Sequence, residues 1–184
     1  MIRILVVPAD STKPYRQEEM NPADLQGLQR IVGGFIEPVN LTPGGSLYAN
    51  DEGIMKGLPV NERATALAGF HTHPFTPGQL IVGDVYVTGP VDHHGLDTDV
   101  PNSIIRLLSA PQIQVQIRVR PDSENRWEDI PGTYSTLVDA YTDICAVARI
   151  VTVIDPERRP AIRAIPAPEP PHPHRHRCRV DRVG

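Results

Sequence analysis

The sequence predicts an α+β fold: a small, mainly antiparallel sheet with a packed amphipathic helix, followed by a β-β-α-β module. Three stretches carry this reading. "IRILVV" (Ile2 to Val7) is a β-branched run, "LQGLQRIV" repeats its apolar residues at helical spacing, and "IQVQIRV" alternates strictly. With 184 residues, 40% of them apolar, the chain can build a real core.

Taken in order, Ile2 to Val7 is apolar on both faces, as a strand buried on both sides should be, and Pro8 ends it. Residues 9–20 read as a polar loop. Asn21 offers an N-cap, Pro22 suits the first helical position, and Asp24 favours the positive end of the helix dipole. Leu25, Leu28, Ile31 and Val32 then share one face, and Gly33-Gly34 supplies a left-handed stop. "FIEPVNL" and "SLYAND", joined by "TPGG", read as a hairpin. A loop follows, with a short helix over Glu62 to Ala68, and "QLIVGDVYVTG" is the last strand of a four-stranded core sheet, bulged at its glycine.

Beyond Pro90 a polar connection leads to a short helix, "NSIIRLLSA", with Pro101 at its start. Along the next strand Ile113, Val115, Ile117 and Val119 face one way, and Gln114, Gln116, Arg118 and Arg120 the other. "SENRWEDIPGTY" returns as its hairpin partner. Thr136 caps a helix carrying Leu137, Ala140, Ile144, Cys145 and Ala148, and "IVTVID" closes the module as a strand. The organisation is thus a domain over 1–110, a module or sheet extension over 111–156, and an irregular Pro/Arg/His-rich tail over 157–184.

Composition narrows the function classes. A net charge of −4 and a pI near 5.9 give no overall pull toward nucleic acid, so no sequence-specific nucleic-acid partner is expected. No apolar run approaches the ~20 residues of a membrane span, and the N-terminus carries no cleavable apolar region. Two cysteines set in unlike surroundings do not make a disulfide framework. The expectation is a cytoplasmic protein without a membrane partner.

"GFHTHPFTPGQLIVGD" raises the question of a metal. Two imidazoles and a carboxylate around an open position can activate water, and the stretch resembles the start of the JAMM metalloprotease signature, in which two histidines precede an aspartate ligand. The eleven-residue step from His73 to Asp84 agrees with that spacing. Ile81 stands where the signature has a serine and has no donor for an oxyanion, Asp84 falls in a strand-like run, and the upstream base has only Glu37, Glu52 or Glu62 as nominees. A surface loop explains the same residues, rich as it is in Pro, Gly and Thr. The reading therefore assigns no catalytic residue, no metal and no cofactor, and keeps a zinc-dependent peptidase using His71, His73 and Asp84 as the alternative.

A longer resemblance covers residues 1–108. "VGGFIE", "DEG", "LPVN" and "VGDV" follow one another with the order and spacing of an uncharacterised domain family found in actinobacteria and in their bacteriophages. That family has no assigned reaction. The resemblance singles out Glu37, Asn50, Asp51, Glu52 and Asn61 as its polar signature. These five are the candidate ligand-binding residues if they line one concavity; as turn and cap residues, "NDEG" forms a turn and Asn61 caps the helix after it. The function this implies is a non-enzymatic phage or mobile-element accessory protein that binds a host protein or a small polar ligand, a nucleotide-type signal being one version. An exposed strand at Ile113 to Val119 would serve edge pairing with a partner or with a second copy, and Trp127 and Tyr134 would anchor a structural homo-oligomer in the third reading.

Overall fold

The computed structural model describes residues 1–41, 44–71, 80–118, 126–154 and 161–168. The elements run β1 (Ile2–Val7), β2 (Arg16–Met20), α1 (Leu25–Val32), β3 (Ile36–Leu41), β4 (Gly45–Asn50), α2 (Glu62–His71), β5 (Val85–Thr88), α3 (Asn102–Ser109), β6 (Ile113–Arg118), β7 (Glu128–Asp129), α4 (Leu137–Ile154) and β8 (Ala161–Pro166). Two antiparallel sheets result, one of five strands in the order β2-β1-β5-β4-β3 and one of three in the order β7-β6-β8. This is the α+β fold that the sequence predicts.

Alternation along the central strands divides the core. Ile4, Val6 and Tyr86 point to one face of the larger sheet, where Leu28 and Val32 of α1 cover them. Leu5, Val7, Val85 and Val87 point to the other, into a larger cluster with Leu47, α2 and α3. That second cluster also holds Ile113, Val115, Leu137, Ala140, Ile144 and Ile162, so the later elements complete the core of the first sheet. Helix α2 packs against β3, α4 and β8, and Ala64, Ala66, Leu67, Ala68 and Phe70 are all buried. Its polar side chains, Glu62, Arg63 and Thr65, sit in the first turns, and from Ala66 to Phe70 the helix is apolar and interior. Gly69 allows α4 to approach, since a Cβ there would lie 2.1 Å from the Tyr141 ring.

Several elements differ from the sequence reading. The polar stretch before α1 contains β2, an edge strand with exposed charged side chains, so the core sheet has five strands rather than four. Charge along an edge discourages further pairing and also hides the strand from an apolar-pattern search. The α1 N-cap is Asp24, whose carboxylate accepts from Gly27 N at 3.0 Å, while Asn21 shapes the preceding turn by accepting from Ala23 N. "IVTVI" continues α4 to Ile154 instead of forming a strand. The closing strand of the β-β-α-β order is β8, which lies in the stretch read as irregular tail and pairs with β6 over six residues of register. Strand β6 is consequently flanked on both sides, so its backbone is not the open edge the sequence reading expected. Val119, Arg120 and the histidine-rich end lie outside the described residues. Among those residues no helix is long and apolar enough to cross a membrane.

Candidate functional site

The glycine, asparagine and acidic residues of the signature meet at one corner. Gly33 ends α1 in the left-handed conformation at φ 76°, and the chain turns toward the end of β4. There the buried Asn50 amide donates to the Val32 carbonyl at 3.0 Å, and its side-chain oxygen accepts from Glu52 N at 2.9 Å. Asn50 therefore closes a helix C-terminus that would otherwise leave a carbonyl unsatisfied. A Cβ on Gly34 would lie 2.7 Å from that amide and 2.6 Å from Lys56 Nζ, which explains the second glycine. Glu52 pairs with Lys56 at 3.0 Å, and Asp51 is exposed beside them. Glu37 stands apart, exposed on the edge strand β3.

Asn61 serves a different part of the fold. Fully buried, it donates to the carbonyls of Val7 and Gly83, both at 2.9 Å, and accepts from Ala64 N at 3.0 Å. One side chain thus joins the end of β1, the approach to β5 and the start of α2. Asp84 works nearby, accepting from Ala9 N at 2.9 Å just before β5 begins. His71 is the last residue of α2, and His73 lies outside the described residues.

Two adjoining hollows lie around Arg63, in the first turn of α2. Its guanidinium donates to three carbonyls of the loop after β1: Pro8 at 2.6 Å, Asp10 at 2.9 Å and Lys13 at 2.9 Å. It also lies over the Tyr15 ring, 4.8 Å from the centroid. The loop is shaped further by Thr12, whose hydroxyl and backbone N–H donate to the Asp10 carboxylate and hold its pKa below the ordinary value. Burial raises the Tyr15 pKa, and the Arg63 charge beside it works in the opposite direction.

Two lobes adjoin at Arg63 and Tyr15. One, about 390 Å³, has hydroxyl and amide groups from Ser11, Thr12, Gln17 and Ser109 above an apolar floor of Leu5, Ile105 and Leu108. The other, about 440 Å³, runs to the start of α4 at Ser135 to Asp139 and includes Glu62. Arg63 forms no ion pair with a described carboxylate; its charge is met by the three carbonyls, by the Tyr15 ring and, at longer range, by Asp10. Sequence reasoning passed over both Arg63 and Tyr15. The available signal was an arginine in a helix's first turn, a position where the dipole disfavours a cation.

No curated protein and no solved structure matches the chain. Residues 2–111, more than half of its length, match the family described as a domain of unknown function, DUF3846, and the chain belongs to that family.

Proposed function

We propose that the chain is a non-enzymatic binding protein of phage or mobile-element origin, acting in the cytoplasm of a bacterial host and holding a small polar ligand in the cleft around Arg63. A nucleotide-type signal is one ligand of this kind. The origin rests on the resemblance of residues 1–108, and the mode of action on the cleft. The observation that carries it is Arg63 itself: a cation fixed by three carbonyls and an aromatic ring, shared by both lobes and without a described carboxylate partner. Hydroxyls and an amide beside an apolar floor are what a ligand site uses to orient a polar molecule.

Native mass spectrometry of the full chain purified from a bacterial lysate tests the proposal. The expected result is a small molecule retained in the native spectrum, released on denaturation and lost in Lys13→Gln combined with Ser109→Ala, two exposed positions on the cleft wall. A bare native mass, together with a melting temperature unmoved by nucleotides and amino acids, would sink it.

A further inference from the structure

The outward face of the three-stranded sheet carries charges that the cleft does not use. Cross-strand partners share a face, so the register of Gln116 with Asp129 and with Arg163 sets these three side chains on one side. They form a row across the sheet: Arg163 Nε donates to Gln116 Oε1 at 2.7 Å, and Gln116 Nε2 donates to Asp129 Oδ1 at 2.8 Å. Arg118 follows Gln116 by two residues and lies on the same side. Beside it stands Trp127, with the Arg118 guanidinium carbon 4.7 Å and that of Arg163 4.3 Å from its ring centroid.

One indole therefore holds two guanidinium groups. Neither arginine forms an ion pair with a described residue, and Arg118 Nε is buried without a hydrogen-bond partner. The ring's negative face offsets part of the repulsion between two nearby cations but supplies no acceptor for their terminal N–H groups. Planar guanidinium forks match oxyanions with two acceptor oxygens, phosphate above all. Diagonal cross-strand neighbours such as Arg118 and Arg163 stand about 7–8 Å apart, a separation that two phosphates along one strand can bridge.

We propose that this face binds single-stranded nucleic acid without regard to sequence. Arg118 and Arg163 take backbone phosphates, and bases stack on the guanidinium planes and on the accessible part of the half-buried indole. An open sheet face offers a small ligand too few contacts, whereas a polymer gathers them along its length. The chain's net charge does not oppose this locally. Residues 1–111 hold seven Lys and Arg against twelve Asp and Glu, while residues 112–184 hold eleven against ten, so the acidic excess lies in the other half of the sequence.

Trp127 is the only tryptophan, so fluorescence excited selectively at the indole's long-wavelength edge, where the five tyrosines do not absorb, reads this face. Titration of the full chain with an oligothymidylate should quench it to saturation, and two phosphate contacts should give a slope of log affinity against log salt of about −1.4. Arg118→Gln with Arg163→Gln should weaken binding by about tenfold or more at low salt, with an unchanged circular dichroism spectrum. Should the double variant fail to fold, Arg163→Gln alone, at an exposed position, must still weaken binding and flatten the slope. Absent quenching, affinity unaffected by these variants, or equal quenching by polyglutamate or inorganic phosphate would overturn the proposal.

Discussion

The two faces of the five-stranded sheet are made by the same strands and finished in different ways. On one, Ile4, Val6 and Tyr86 are covered by α1, and every residue of that cluster comes from the segment matched by the family. On the other, Leu5, Val7, Val85 and Val87 meet α2 and then Ile113, Leu137, Ile144 and Ile162 from beyond that segment. The first face is complete within residues 2–111; the second is not. The end of the family match is thus a border in sequence and not in the core. The Arg63 cleft follows the same division, since its second lobe is walled by the start of α4.

The largest effect should come from removing the last piece of the second face. Truncation before Ala161 deletes β8, its ladder with β6 and the buried Ile162. Burial of one isoleucine contributes about 1.5–3 kcal/mol. At about 2–4 °C per kcal/mol, the melting temperature should fall by at least about 3 °C, before the lost ladder is counted. Differential scanning calorimetry of the truncated chain decides it. An unchanged melting temperature would restore the reading of this stretch as an irregular tail and undo the contrast between the faces.

The contrast also explains what the sequence could show. Strands β1, β3 and β4 and helices α1 and α3 are legible because local chemistry and tertiary role agree: β-branched runs, helical spacing, and glycine or proline at the ends. Strand β2 is not, because "RQEEM" has no apolar pattern and becomes a strand by pairing with β1. "IVTVI" is strongly β-branched and still helical, since it extends a helix already nucleated by the Thr136 cap, whose hydroxyl accepts from Asp139 N. "AIRAIP" looks weak by itself and becomes a strand because β6 supplies a ladder. The signature polar residues were legible as turn and cap chemistry at Asn61 and around "NDEG". Arg63 and Tyr15 were not, because the loop that brings them together is ordered by backbone carbonyls, which a sequence does not display.

A matched pair of core substitutions should give the next effect. Leu67 is fully buried in α2 between the two sheets, and Leu28 is the central α1 residue on the smaller face. Leucine-to-alanine changes in a core cost about 2–5 kcal/mol, more where neighbours cannot collapse into the space. Leu67 is on the side of α2 packed against β3, α4 and β8, so Leu67→Ala should fall near the upper end. Helix α1 has a solvent side and can settle inward, so Leu28→Ala should fall near the lower end. Urea unfolding of both variants measures the difference. Equal losses would show that the two faces are equally rigid, and a loss under about half a kcal/mol at Leu28 would remove that residue from the core altogether.

The smallest effect is a pH dependence that belongs to the α1 face. Tyr48 stacks on Tyr86 with ring centroids 4.8 Å apart, and its hydroxyl donates to Asp97 at 3.0 Å. Burial first, then the bond to Asp97 and its negative charge, push the Tyr48 pKa up to about 12. Burial also raises Tyr86, with Tyr48 and Asp97 adding to it. An unfolded tyrosine titrates near 10, so between about pH 10 and 12 the unfolded chain sheds a proton that the folded chain keeps. The contribution is full below the unfolded pKa and declines as pH rises toward the folded one. Tyr48→Phe removes one titrating hydroxyl and leaves the ring stack in place. Its melting temperature should therefore lie below that of the parent chain at neutral pH, where the hydroxyl's contribution is full, and the gap should close as the pH rises from about 9 to 11. Tyr141, on the opposite face, is also pushed up to about 12 by its burial and by Cys145, so the parent's alkaline decline cannot vanish in this variant. Parallel curves for the two proteins would mean that the hydroxyl bonded to Asp97 titrates as it does in the unfolded chain, and that the alkaline sensitivity lies with the other raised tyrosines, Tyr86 and Tyr141 among them.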